Sequence, residues 1–256
     1  MSCCHALLVC PAASAPGSAL ASPRAAVRRR AAASLRRRLG ATAVAALVTL
    51  AFFGPSRAWD ADRMLRAASL HGPRAQAATR DLQQLLAVVS DGEVSIRLEA
   101  VNAHFNRRIT FAEDTLVWQQ ADFWASPIET LAKGEGDCED YAIAKYFSLV
   151  AAGVPVASLR LVYVRATLAA TQSLPARSMA HMVLAYYGER NEDPLILDNL
   201  VPDIRPASRR ADLTPVFSFN SDGLWQGAGQ ESAGDPLLRL SRWREVVGKA
   251  RAEGFL

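Results

Sequence analysis

The apolar period changes once along this chain, and that change constrains its fold more than any other feature. Up to residue 152 apolar side chains recur at helical intervals; beyond Gly153 and Pro155 they alternate. "RAQAATRDLQQLLAVVS", 74–90, follows a Gly72-Pro73 break and spaces Ala78, Leu82, Leu85, Leu86 and Val89 on one helical face. "EVSIRLEAVNAHFNRRI", 93–109, reads likewise. "DTLVWQQADFWASP" is aromatic and irregular. "SPIETLAKG", 126–134, carries Ser126 as cap, Pro127 in the first turn, Glu129 three residues on and Gly134 at the stop. A helix over 138–152 comes next.

Beyond the break, 159–168, 179–187, 194–200 and 214–220 read as strands, with 223–227 extending the sheet. "GERNEDP" reads as the loop of a hairpin. An amphipathic helix over 235–254, opened by Pro236, closes the chain. Helices first and antiparallel strands later predict an α+β fold.

The first 58 residues read as a leader. No acid occurs before Asp60, Arg triplets stand at 28–30 and 36–38, and "ATAVAALVTLAFFG", 41–54, is uncharged and apolar. That run is shorter than the about 20 residues of a membrane span and matches a signal-peptide core. "SRA", 56–58, offers small residues for cleavage near Ala58. An uncleaved anchor or a transit-type leader is the alternative. Eight of the 29 basic residues precede residue 59, so residues 59–256 hold 21 against all 25 acids. The basic balance of the whole chain therefore belongs to the leader and does not argue for nucleic-acid binding. Residues 59–256 suit a single domain.

Cys3, Cys4 and Cys10 leave with the leader, and Cys138 alone remains. One thiol cannot form an internal disulfide, and an odd thiol in an oxidising compartment is reactive, paired between molecules, or a small buried filler. In "GDCEDYAIAKYFSL" it follows Asp137, a candidate helix cap, and so stands at a helix N-terminus, where the partial positive charge lowers a thiol pKa and binds an oxyanion. His181 lies in the 179–187 strand and Asp198 in the 194–200 strand. A hairpin would set them together: the aspartate to orient the imidazole, the imidazole to take the thiol proton. Taken singly, His181 could be a hydrogen-bonded structural residue and Asp198 the start of a turn. His71 and His104 lack partner motifs. Zinc lacks a ligand cluster, "GEG" is too short for a phosphate loop, and no serine-hydrolase elbow occurs. Met179 and Met182 read as core.

"GDCEDYAIAKY", then "AHMVL" and "LILDN", with "VWQQADFWASPIETLAKGEG" upstream, resembles the bacterial transglutaminase-like cysteine proteinases, in particular the LapG-type periplasmic proteases. The resemblance spans roughly residues 60–250. It implies a papain-like α+β core, a periplasmic location and a triad of Cys138, His181 and Asp198. It also implies cleavage of a large surface adhesin near paired alanines in its retention region, promoting biofilm dispersal. An inner-membrane receptor that senses cyclic-di-GMP is the implied partner. The implied cofactor is calcium. Asp137, Glu139 and Asp140 are hard oxygen donors that could hold it and offset the acids around the thiol. Equally, Asp137 could simply cap the helix, with Glu139 and Asp140 placed for its dipole. Trp118 and Gln119 are candidates for a second oxyanion donor, and Trp118, Phe123 and Trp124 for the walls of a narrow cleft or for core. A transglutaminase-like acyltransferase with the same triad and a non-catalytic calcium-binding module are the other readings.

Overall fold

A computed structural model describes residues 59–170, 175–188 and 192–256. The leader call and the centre of the "GERNEDP" loop lie outside the described residues.

The chain enters through a helix the apolar spacing did not mark, α1 (Ala61–Ser69), capped by Asp60, whose carboxylate accepts from the Arg63 N–H. Only Met64 and Ala68 of α1 are buried, too few to register as a stripe. Then come α2 (Pro73–Val89) and α3 (Val94–Arg108), close to their predicted bounds. A two-residue strand β1 (Thr110–Phe111) follows, and a single turn α4 (Asp114–Val117) opens the segment read as irregular. In α5 (Pro127–Lys133) the capping box forms in full: Ser126 accepts from the Glu129 N–H, and Glu129 accepts from the Ser126 N–H. Gly134 ends it at φ 66°, a left-handed conformation that suits glycine. The strand β2 (Glu135–Gly136) pairs in parallel with β1 and delivers the chain to α6 (Cys138–Ala151). Nearly every side chain of α6 from Asp140 to Leu149 is buried, as in a helix enclosed on all sides.

The strands of the main sheet come next: β3 (Leu159–Leu168), β4 (Arg177–Tyr186), β5 (Leu195–Leu197), β6 (Arg205–Pro206), β7 (Leu213–Phe219) and β8 (Leu224–Gln226). With β9 (Ser232–Gly234) they form an antiparallel sheet in the order β6-β5-β4-β3-β7-β8-β9. The predicted hairpin forms between β4 and β5, and β7 returns to pair with β3 on its other side. The fold is α+β, as the period change predicts. β5 is shorter than predicted because Asp198 accepts the Leu200 N–H at 3.0 Å and turns the chain out of the ladder. The last helix is split into α7 (Pro236–Arg239) and α8 (Ser241–Glu253) by extended backbone at Leu240. That break lets Trp243 drop fully into the core.

The main core lies between the helices and the sheet. Trp243 stacks on Phe147 of α6 at 5.4 Å between ring centroids and meets Phe219 of β7 edge-on at 5.2 Å. Met182 and Leu184 of β4 join this core; Met179 is only half-buried. A second, smaller cluster gathers Val162, Val164, Val183, Ala185 and Ile196. Both ends of the described unit are fastened: Trp59 is buried, and the Asp60 N–H donates to the Gly254 carbonyl at 2.8 Å. Among the described residues no helix is long and apolar enough to cross a membrane.

Candidate active site

Cys138 is the first residue of α6, where the cap prediction put it. Asp137 has the extended backbone of a cap (φ −101°, ψ −166°), yet its carboxylate makes no capping bond. Its oxygen instead lies within 4.8 Å of carboxylate oxygens from Asp114 and Asp140. A second group joins Asp114, Asp122 and Glu139 within the same limit, and Glu139 also lies beside Asp137 and Cys138. Asp114 thus sits at the centre of a cluster that takes in all three sequence-predicted metal ligands.

This cluster is poorly satisfied by protein alone. Asp114 Oδ1, Asp137 Oδ1 and Asp140 Oδ2 are buried with no hydrogen-bond partner among the described residues. Each residue's other contacts are modest. Asp140 Oδ1 accepts the Ala125 N–H at 2.9 Å, and Asp114 accepts the Phe123 N–H. Burial pushes the Asp140 carboxyl up to about 8, with the charges of Asp114 and Glu139 adding to it against the Ala125 hydrogen bond. Burial lifts Asp114 to about 6. Asp137 is pushed higher still, by burial first and then by Glu139 and Asp140. Gly136 makes the room: a Cβ there would stand 2.6 Å from Asp140 Oδ2. Converging, unpartnered carboxylate oxygens with no sulfur or imidazole among them are the donor set of a hard divalent cation.

The thiol feels the same acids. Burial, then the charge of Glu139 and the 3.0 Å contact of Sγ with Glu139 Oε2, then Asp137, push Cys138 far above its ordinary value. A hydrogen bond from the Met182 backbone N–H works in the opposite direction. Met182 directly follows His181 on β4, so the sulfur lies against the strand that carries the histidine.

His181 is opposite Val164 in the β3–β4 ladder and is fully buried. Its Nε2 lies 2.8 Å from Asp198 Oδ1, while Nδ1 is buried and has no partner. Strand register alone does not make this contact, because β5 ends opposite Leu184. The turn after Leu197 carries Asp198 to the ring. Burial would raise the Asp198 carboxyl, but hydrogen bonds from His181, Leu200 and Arg210, with the charge of His181, hold it down at about 2. Arg210 Nη2 binds Asp198 Oδ2 at 2.7 Å and Asp212 Oδ2 at 2.8 Å. From α6, Lys145 is buried too; desolvation lowers its ammonium to about 7, against the attraction of Asp198. A buried carboxylate kept ionised and fixed to one imidazole nitrogen, with the other nitrogen free, is equipped to hold a ring for proton transfer.

A sequence profile of the bacterial transglutaminase-like cysteine proteinases matches residues 74–213. The chain belongs to that family. Two solved structures are similar over three quarters of its length. EGTA-treated Legionella pneumophila LapG is 35% identical with a TM-score of 0.62, over 75% of this chain and 97% of that one. Calcium-bound Legionella pneumophila LapG is 34% identical with a TM-score of 0.62, over 74% of this chain and 98% of that one. No curated protein sequence matches.

In this transglutaminase-like cysteine proteinase, then, His181 and Asp198 are in contact, and Cys138 packs against the same strand. Asp114, Asp122, Arg210 and Lys145 were not singled out from the sequence. Asp114 and Asp122 could have been: they are the acids of the aromatic segment that leads to the cysteine helix. Arg210 sits in an ordinary polar run, and Lys145 looks like any helical lysine. Trp118 and Phe123 pack on each other at 4.4 Å, Trp124 stacks on Phe219, and all three are half-buried. Gln119 stands at φ 56°, the single described residue other than glycine with positive φ. His71 is exposed in a turn, and His104 packs its ring against Phe105 on α3.

Proposed function

We propose that this chain is an exported, calcium-dependent cysteine endopeptidase acting through Cys138, His181 and Asp198. The observation that carries the reading is the state of His181: one nitrogen held by an ionised aspartate, the other buried and unpartnered, with the lone sulfur beside the next residue of the strand. His181 Nδ1 takes the thiol proton. The Cys138 thiolate attacks a peptide carbonyl, and the Cys138 N–H at the helix N-terminus donates to the oxyanion. The imidazolium then protonates the leaving amine, and water, activated by the same imidazole, releases the acyl group.

Asp114, Asp137 and Asp140, with Glu139 and Asp122, would hold calcium. A bound cation there supplies positive charge that offsets the acids now keeping the thiol protonated. The LapG likeness supports this, since one of those structures is calcium-bound. The leader over 1–58 directs residues 59–256 to the periplasm. The substrate is a large surface adhesin, cut near paired alanines in its retention region, which releases it and disperses biofilm. An inner-membrane receptor for cyclic-di-GMP restrains the protease.

The test mixes purified protein with a panel of adhesin retention-region fragments, in calcium and in chelator. Cleavage in calcium, lost in chelator and in Cys138→Ala, is expected. Cleavage that persists in Cys138→Ala rejects the triad; full cleavage in chelator rejects the cation's role.

A further inference from the structure

The second apolar cluster borders a cavity of about 260 Å³. Val162, Val164, Val183, Ala185 and Ile196 line it, and Arg210 is its one charged side chain. Arg210 as a residue is only 3% exposed. Its Nε and Nη2 are taken by Asp212 and Asp198, but Nη1 is buried with no partner among the described residues. A buried donor left unpaired costs about 1–3 kcal/mol and wants an acceptor. Apolar walls around one polar anchor are the usual composition of a small-molecule site.

The charges nearby say which acceptor. Asp198 and Asp212 already match the positive charge of Arg210. A third acid, Asp193, accepts the Ser208 N–H next to Ala207, which also lines the cavity. An anionic ligand would meet three carboxylates and the compensated Arg210, while the other cation nearby, Arg160, is engaged over the Tyr187 and Trp225 rings and with the Gly229 carbonyl. An uncharged oxygen would meet no such repulsion.

We infer that this cavity binds a small, uncharged, carbonyl-bearing apolar molecule (of ketone, ester or amide class) whose oxygen accepts from Arg210 Nη1. The apolar body fills the valine and isoleucine face. The site is separate from the peptide-cleaving reading but shares a residue with it: the same guanidinium holds Asp198, which holds His181. Occupancy therefore reaches the imidazole through two hydrogen bonds.

Calorimetry on the full chain with 2-octanone, octanoate and 1-octene tests this, together with ¹⁵N spectra of the histidines. The ketone is expected to bind about ten-fold or more tightly than either of the others, the worth of one hydrogen bond from a charged donor. It should also shift the His181 ring resonances. Ala207→Trp and Ala228→Trp, at partly or fully exposed lining positions, should each weaken the ketone at least about ten-fold by filling the cavity. Octanoate or octene binding as well as the ketone would overturn the inference. So would no ketone binding at millimolar concentration, binding unchanged in both tryptophan variants, or binding that leaves His181 unmoved. None of these outcomes bears on whether Cys138 cleaves peptides, which the chelator and Cys138→Ala assays read separately.

Discussion

Calcium binding to this chain should expel about two protons at neutral pH. The cation needs Asp114, Asp137 and Asp140 as carboxylates. With Asp140 at about 8 and Asp137 higher, both are mostly protonated at pH 7, whereas Asp114 at about 6 is mostly ionised. Two protons must therefore leave near pH 7, and about one near pH 9, where Asp140 has already titrated. The apparent affinity should climb steeply through neutrality, by up to roughly 100-fold per pH unit when two protons are released. Folding carries the same sign. These folded carboxyls lie above their ordinary 3.8, so the cation-free folded state holds more protons than the unfolded chain. The stability these carboxyls contribute is greatest below about pH 4 and is lost as pH rises toward 8. Calorimetric titration in buffers of different ionisation enthalpy counts the protons. Thermal melts with calcium or EGTA from pH 5 to 8 read the folding side, and the gap between the two melts should widen with pH. Tight binding with no proton release at pH 7, or an affinity flat from pH 6 to 8, would refute the argument that these acids are mutually strained.

Three further outcomes follow from buried groups elsewhere. Glu253 accepts from the Ser126 hydroxyl and the Ile128 N–H, and burial raises it to about 7. The parent should lose stability between pH 4.5 and 7, and Glu253→Gln should shrink that loss by about 1–3 kcal/mol in urea melts; an unchanged pH slope counts against it. Lys145, lowered to about 7, makes the parent more stable as pH rises from 7 to 10, because only the unfolded lysine stays charged there. In Lys145→Met that rise should vanish from denaturant midpoints. Trp243→Ala removes a fully buried ring packed on Phe147 and Phe219 and should cost about 3–5 kcal/mol, lowering Tm by roughly 6–20 °C. A loss under 1 kcal/mol would mean the aromatic cluster is not the core.

Elements whose signals are local were legible in the sequence. The capping box at Ser126, the glycine stop at 134, the start of α6 at Cys138 and the ten-residue β3 all fall at or within a residue of expectation. What failed to show depends on distant partners. α1 buries two side chains and is held from the far end of the chain; β1 and β2 are two residues each and exist only because they pair. The site divides the same way. Cys138, His181 and Asp198 stand out by residue type and order, and the acids flanking Cys138 by proximity. Asp114 reaches the cluster from 23 positions before Asp137, and Arg210 reaches Asp198 across a turn and a strand, so neither leaves a mark in any short window.

Trp59 and Asp60 bear on the proposed removal of the leader. A peptidase must thread several residues on each side of its target bond in extended form. Once folded, this chain sinks the indole immediately after Ala58 and ties the next amide to Gly254. A bond next to Ala58 would then be out of reach, so the proposed cleavage would have a fixed timetable. It would have to precede folding, and a precursor that folded early would stay uncut.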